Sequence, residues 1–169
     1  MVDVILLVLS IVNWLHLMAT VTWIGGIATN ILVILPSTRE VLEQPLAGKL
    51  MGSVMKRFRI IVYISIVVLV ISGILMNLFN KSYLGVTQLG NLWTQVILVK
   101  HIFVVALIVL AVYAFEVLAP KVSRLAVKGP SQELVRLQKL QLNLALLGFA
   151  LGIIILFLTG IATAISATS

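Results

Sequence analysis

The sequence predicts an all-α integral membrane protein, a four-helix bundle forming one domain over residues 1–169, and three observations predict it. Of the 169 residues, 62% are hydrophobic and only 10% are charged, a composition outside the range of soluble globular domains. The apolar residues gather in four runs, at about 4–35, 60–79, 92–119 and 140–167. Each run has the length of roughly 20 residues that a helix needs to cross the hydrocarbon core of a bilayer. The charges lie almost entirely between the runs.

The first run, Val4 to Leu35, is uncharged. It is preceded by Asp3 and no basic residue, and it is too long for the apolar region of a signal peptide, so it is expected to remain as a span. Asn13, His16, Thr20, Trp23, Ile27 and Asn30 recur in steps of three and four along it, which places them on one seam, expected to face inward. Pro36 is expected to close this helix. A segment with Arg39, Glu40, Glu43, Lys49, Lys56, Arg57 and Arg59 comes next, in which Leu42 to Met55 has the character of a short interfacial helix that Pro45 and Gly48 weaken.

The second run carries Ser72-Gly73-Ile74 near its end, and the connection after it, Asn80 to Asn91, holds a single charge, Lys81. The third run contains Lys100 and His101 and is expected to close at Pro120. The third loop has Lys121, Arg124, Lys128, Glu133, Arg136 and Lys139, with a turn at Gly129-Pro130. After Ser131, the spacing of Leu134, Leu137 and Leu140 predicts that the fourth helix begins in solvent as an amphipathic turn or two. An uncharged tail ends the chain. Basic residues concentrated in the first and third loops place those loops in the cytoplasm, and both termini outside, of a multi-pass protein of the cell membrane. The formal charge of +7 therefore reads as membrane topology and not as nucleic-acid binding. The absence of cysteine excludes disulfides, iron–sulfur clusters and thiolate metal sites.

The two halves resemble one another. His16 precedes Pro36 by 20 positions and His101 precedes Pro120 by 19, and Thr159-Gly160-Ile161 stands to His101 much as Ser72-Gly73-Ile74 stands to His16. The pattern is that of a duplicated helical hairpin. Its two histidines are the chain's only ones, and they fall at one depth on helices of the same direction. Ionisable groups within spans default to a functional reading, and paired imidazoles on a four-helix bundle can hold haem iron, copper or zinc. The seam from His101 through Val105, Ile108 and Val112 is apolar, which suits a porphyrin face. Gly73 and Gly160 would let a macrocycle lie against the backbone, or simply let helices pack closely. Lys100 either meets an anionic group such as a haem propionate or snorkels to the interface. Met18, Met51, Met55 and Met76 are soft copper ligands or ordinary filler. The cofactor-binding candidates are thus His16, His101, Lys100, Gly73, Gly160 and Trp23, with His16 and His101 as metal ligands.

His16 followed by Trp23-Ile24-Gly25-Gly26 and Pro36, Arg57-Phe58 opening the second helix, Ser72-Gly73, and Trp93 with Lys100 in the third together resemble the membrane domain of the copper-resistance protein D family. More distantly, His16, Trp23 and Lys100 match in kind the four-helix bacterial protoporphyrinogen oxidase, a haem protein. The first resemblance implies copper passage and, through relation to haem proteins, a b-type haem. The function expected is a redox or electron-transfer protein holding haem b between His16 and His101; the alternatives are a copper transport or copper-handling protein using the same residues and a structural subunit of a membrane complex. The bilayer is the expected partner, together with other membrane subunits or a second copy. No nucleophile–base pair, phosphate loop or carboxylate pair supports hydrolase or transferase catalysis.

Overall fold

Where no water can satisfy a peptide group, the chain must bond its own backbone, and here it does so by helix almost throughout. The computed structural model describes residues 2–79 and 90–168. Most of the middle connection, with Lys81 and Ser82, and the final Ser169 lie outside them. The elements are α1 (Val2–Thr29), a π-helical turn (Asn30–Ile34), α2 (Leu35–Val41), α3 (Gln44–Leu78), α4 (Leu92–Val112), a second π-helical turn (Tyr113–Leu118), α5 (Ala119–Lys128) and α6 (Gln132–Thr168). Among the described residues they make four helices long and apolar enough to cross a membrane: Val4–Val41, Pro45–Leu78, Leu92–Lys128 and Gln132–Thr168. The fold is a four-helix bundle.

Pro36 and Pro120 do not close their helices as expected. Each stands in the first turn of a segment, α2 or α5, that continues the same rod. The reason is the π-helical turn before each one. Leu35 N–H reaches back to Asn30 O and Ala119 N–H to Ala114 O, five residues instead of four. The widened turn takes up the register error that a proline without N–H introduces, so the helix survives it. Pro45 likewise starts a helix instead of weakening one. Leu42 and Glu43 are extended, and Pro45 then sits in the first turn of α3, where an N–H has no partner in any case. α3 starts at Gln44 and α6 at Gln132, well before the apolar runs begin, because Leu, Met, Lys, Arg and Gln are good helix formers on either side of the membrane boundary. Ser131 Oγ accepts from Leu134 N–H at 3.1 Å and caps α6.

α1 packs chiefly along α3, and α4 along α6, so the bundle is two hairpins. α1 touches α6 and α3 touches α5, whereas α1 and α4 make little direct contact. Trp23, Ile27, Val62, Leu107, Ala111, Phe115 and Ile155 form the interior. Phe115 receives Phe58 and Tyr63 edge to face, each with ring centroids 6.2 Å apart, an arrangement worth about 0.5–1.5 kcal/mol per pair beyond burial. Glycine sets how closely the spans approach. A Cβ at Gly152 would come within 3.2 Å of Ile24, and one at Gly26 would overlap the Phe58 ring. In lipid such close packing replaces the hydrophobic drive.

Gly25 has nothing within 4 Å of its Cβ position, which makes it the control for its neighbour. We expect Gly26→Val to lose about 1–3 kcal/mol through overpacking and Gly25→Val to lose little, as read by thermal unfolding in detergent. Equal loss in the two variants would show that the Gly26–Phe58 contact does not set the α1–α3 distance.

Candidate functional site

His16 lies on the face of α1 that carries Ala19, Trp23 and Ile27 into the interior. Its Nδ1 is 2.8 Å from Ser72 Oγ on α3. Ser72 is buried, and its hydroxyl donates to Val68 O one turn back. A hydroxyl has one hydrogen. With that hydrogen committed to Val68, Ser72 Oγ accepts from His16, so Nδ1 carries the imidazole proton and Nε2 presents a lone pair. Gly73 lies alongside, where an added Cβ would be 3.6 Å from His16 Cε1. Thr20 turns its hydroxyl back to His16 O at 2.8 Å, so it does not compete for the ring.

On α4, His101 Nδ1 is 2.7 Å from Ile97 O. A carbonyl only accepts, so this Nδ1 is also protonated, which in the neutral ring leaves the lone pair on Nε2. Lys100, half-buried beside it, and His101 lie near enough to His16 to act on it electrostatically. Thus α1 and α4, though scarcely in contact, bring both histidines and Lys100 to one end of the bundle. Hydrogen-bonding the far nitrogen is the usual device for aiming a ligating imidazole. Both rings have it.

Other expected members stand apart. Trp23 is in the core, 3% exposed, two helical turns from His16. Gly160 is exposed with nothing within 4 Å of its Cβ position, and Thr159 bonds Ile155 O at 2.8 Å instead of a histidine. The second half of the repeat therefore lacks the clasp that Ser72 gives His16. The inward seam from His101 also needs correcting. Val105 and Val112 are exposed, and the third span turns Leu107 and Ala111 of α4 and Phe115 of the second π-helical turn inward. A helix apolar on every side carries no signal of which face is buried, and aromatic packing settled it. On α1 the expected seam faces inward from His16 to Ile27, while Asn13 is exposed. Met18 is exposed and Met55 packs on the core. No group of three or more His, Cys, Asp or Glu occurs among the described residues.

Two features are not anticipated by the sequence pattern. Ser72 stands out there only as a small residue beside a glycine. Glu116, in the second π-helical turn, joins α3: Tyr63 Oη donates to Glu116 Oε1 at 2.6 Å, and Arg59 Nη1 lies 3.4 Å from the same oxygen. The spacing of Arg59 and Tyr63, four apart on one helix face, was the available signal.

A family model described as copper resistance protein D matches residues 52–162. The matched region takes in Ser72, Gly73, Lys100, His101 and Gly160, and leaves His16 and Trp23 before it. No match was found among curated proteins or among solved structures.

If Ser72 fixes the His16 tautomer, the ring nitrogens report it. We expect ¹⁵N spectra of detergent-solubilised protein to show a single Nδ1-protonated form for His16. In Ser72→Ala a mixture of tautomers should appear, with His101 unchanged. A single unchanged tautomer in the variant would remove Ser72 from the site.

Proposed function

We propose, for a chain that belongs to the copper resistance protein D family, that it handles copper within the membrane, with His16 Nε2 and His101 Nε2 as the donors that hold the ion. The observation that carries this reading is the matched tautomers: each Nδ1 is tied down, and each Nε2 offers its lone pair at the same end of the bundle. Imidazole is a good copper ligand. Copper is here the cargo. Lys100, close enough to act on His16, places a like charge near the bound cation and limits its retention. A transport site must bind well enough to load and weakly enough to release. Trp23, Val62, Leu107, Phe115 and Ile155 pack the interior, which favours a binding station over an open pore.

The same donors support a second reading, haem b held in a redox or electron-transfer subunit. Its specific support is that α1 and α4 stand apart while their imidazoles share one end, and that Gly73 leaves the edge of the His16 ring uncovered by any side chain of its own. His16 and His101 would hold the iron, and Lys100 would offer a cation to the group's carboxylates. The group would supply one-electron redox chemistry, while Ser72 and Ile97 O orient the rings.

Purified protein given copper should bind it stoichiometrically. His16→Ala and His101→Ala should each abolish that stoichiometry, and Ser72→Ala should weaken affinity about 10–100-fold, the usual effect of losing an orienting partner. Protein made with ample haem that instead shows a Soret band with sharpened α and β bands on reduction, lost in either histidine variant, would establish the haem reading in place of copper. Binding of either group that survives both substitutions would sink the site itself.

The bundle is further proposed to be a single domain with both termini outside, since basic residues crowd the first and third loops. The chain contains no cysteine, so single cysteines report topology cleanly. At Ser82 and Ser169, which lie outside the described residues, we expect labelling by an impermeant thiol reagent in intact cells. At Ser123 we expect none. The reverse pattern would invert the orientation.

A further inference from the structure

The cytoplasmic end of the third span does more than carry charge. α5 continues α4 past the second π-helical turn and ends at Gly129, whose φ of 102° belongs to the left-handed region that glycine tolerates. That residue, Pro130 and Ser131 turn the chain sharply into α6. The two helices then enclose a cleft lined by Lys121, Arg124, Leu125 and Lys128 of α5 and by Glu133 and Leu137 of α6. Lys121, Arg124 and Lys128 are spaced three and four apart, so they occupy one face. Three cations thus meet a single carboxylate. Among the described residues the one ion pair within 4 Å is Arg59–Glu116, so Glu133 neutralises none of the three by direct contact. Such a cleft draws an anion.

Depth identifies which anion. Lys121 follows Leu92, the first residue of α4, by 29 positions, or about 44 Å of helix at 1.5 Å per residue. The hydrocarbon core is only about 30 Å thick, so even a tilted third span leaves α5 at or beyond the phosphate level. Leu125 and Leu137 give the same cleft an apolar wall. At that level the fixed anions are phospholipid phosphates, and three cations facing a single carboxylate suit them. We propose that the α5–α6 cleft binds the headgroup of one anionic phospholipid, with Lys121, Arg124 and Lys128 around its phosphate. Arg124, central among the three, offers the planar fork that pairs with two phosphate oxygens.

The site is separate from the histidine pair at the other end of the bundle and is tested separately. Full-length protein in detergent is incubated with phosphatidylglycerol or phosphatidylcholine, and retained lipid is counted by native mass spectrometry. We expect one tightly held phosphatidylglycerol per chain and no comparable phosphatidylcholine. Retention should weaken by about fivefold for each cation removed across Arg124→Gln, Lys121→Gln/Arg124→Gln and the triple glutamine variant, and by less in Arg124→Lys. The control, Lys49→Gln/Lys56→Gln, removes two charges from the first loop and should leave retention intact. Circular dichroism and elution volume report folding. If the triple variant does not fold, the Arg124→Gln and Arg124→Lys pair carries the test alone. Equal loss in the control would mean a diffuse positive field and no site. Displacement by millimolar glycerol 3-phosphate as readily as by lipid would make it a site for soluble phosphate, and unchanged retention in the α5 variants would place the lipid elsewhere. Any of these three results overturns the proposal.

Discussion

In hydrocarbon, a peptide group that is not bonded by its own chain has no other partner, and every span of this bundle is built to meet that demand. It accounts for the near-uniform helix, and also for its two departures from α geometry. The π-helical turns at Asn30–Ile34 and Tyr113–Leu118 each come just before a proline and let the rod pass through it. They also re-aim the helix beyond them. An inserted residue rotates the downstream face by about 100°, and the second turn carries Glu116 toward Arg59 and Tyr63. The two turns occupy corresponding places in the first and third spans, each just before its proline.

Within that frame, packing is set by shape. α1 lies against α3 with Gly26 under the Phe58 ring, and α6 approaches α1 where Gly152 meets Ile24. Phe115 is clasped between Phe58 and Tyr63. Close packing of this kind locks the middle of the bundle and leaves the ends to carry polar groups. Accordingly the histidines and Lys100 gather at one end, Glu116 with its partners toward the other, and the cationic cleft beyond it.

At the histidine end, a few hydrogen bonds decide the chemistry. Ser72 spends its proton on Val68 and so receives one from His16. His101 reaches the same tautomer by a different route, through its own helix. The two imidazoles thus have non-equivalent support, one from a neighbouring helix and one from its own.

The four spans, their order and the basic loops are legible in the amino-acid sequence, and so are His16 and His101 as candidates. Hydrophobicity and charge act residue by residue, and histidine in an apolar run is rare enough to read singly. The sequence also carries the family resemblance that the match over residues 52–162 supports. How Pro36 and Pro120 are passed emerges only in three dimensions, because a π-helical turn is a backbone response with no residue signature. So does the inward turn of Leu107, Ala111 and Phe115 on the third span, since an all-apolar helix reveals no buried face. The bond between His16 and Ser72, 56 positions apart, is of the same kind. That distance in sequence is closed by helix packing, and packing depends on the shapes of both surfaces at once.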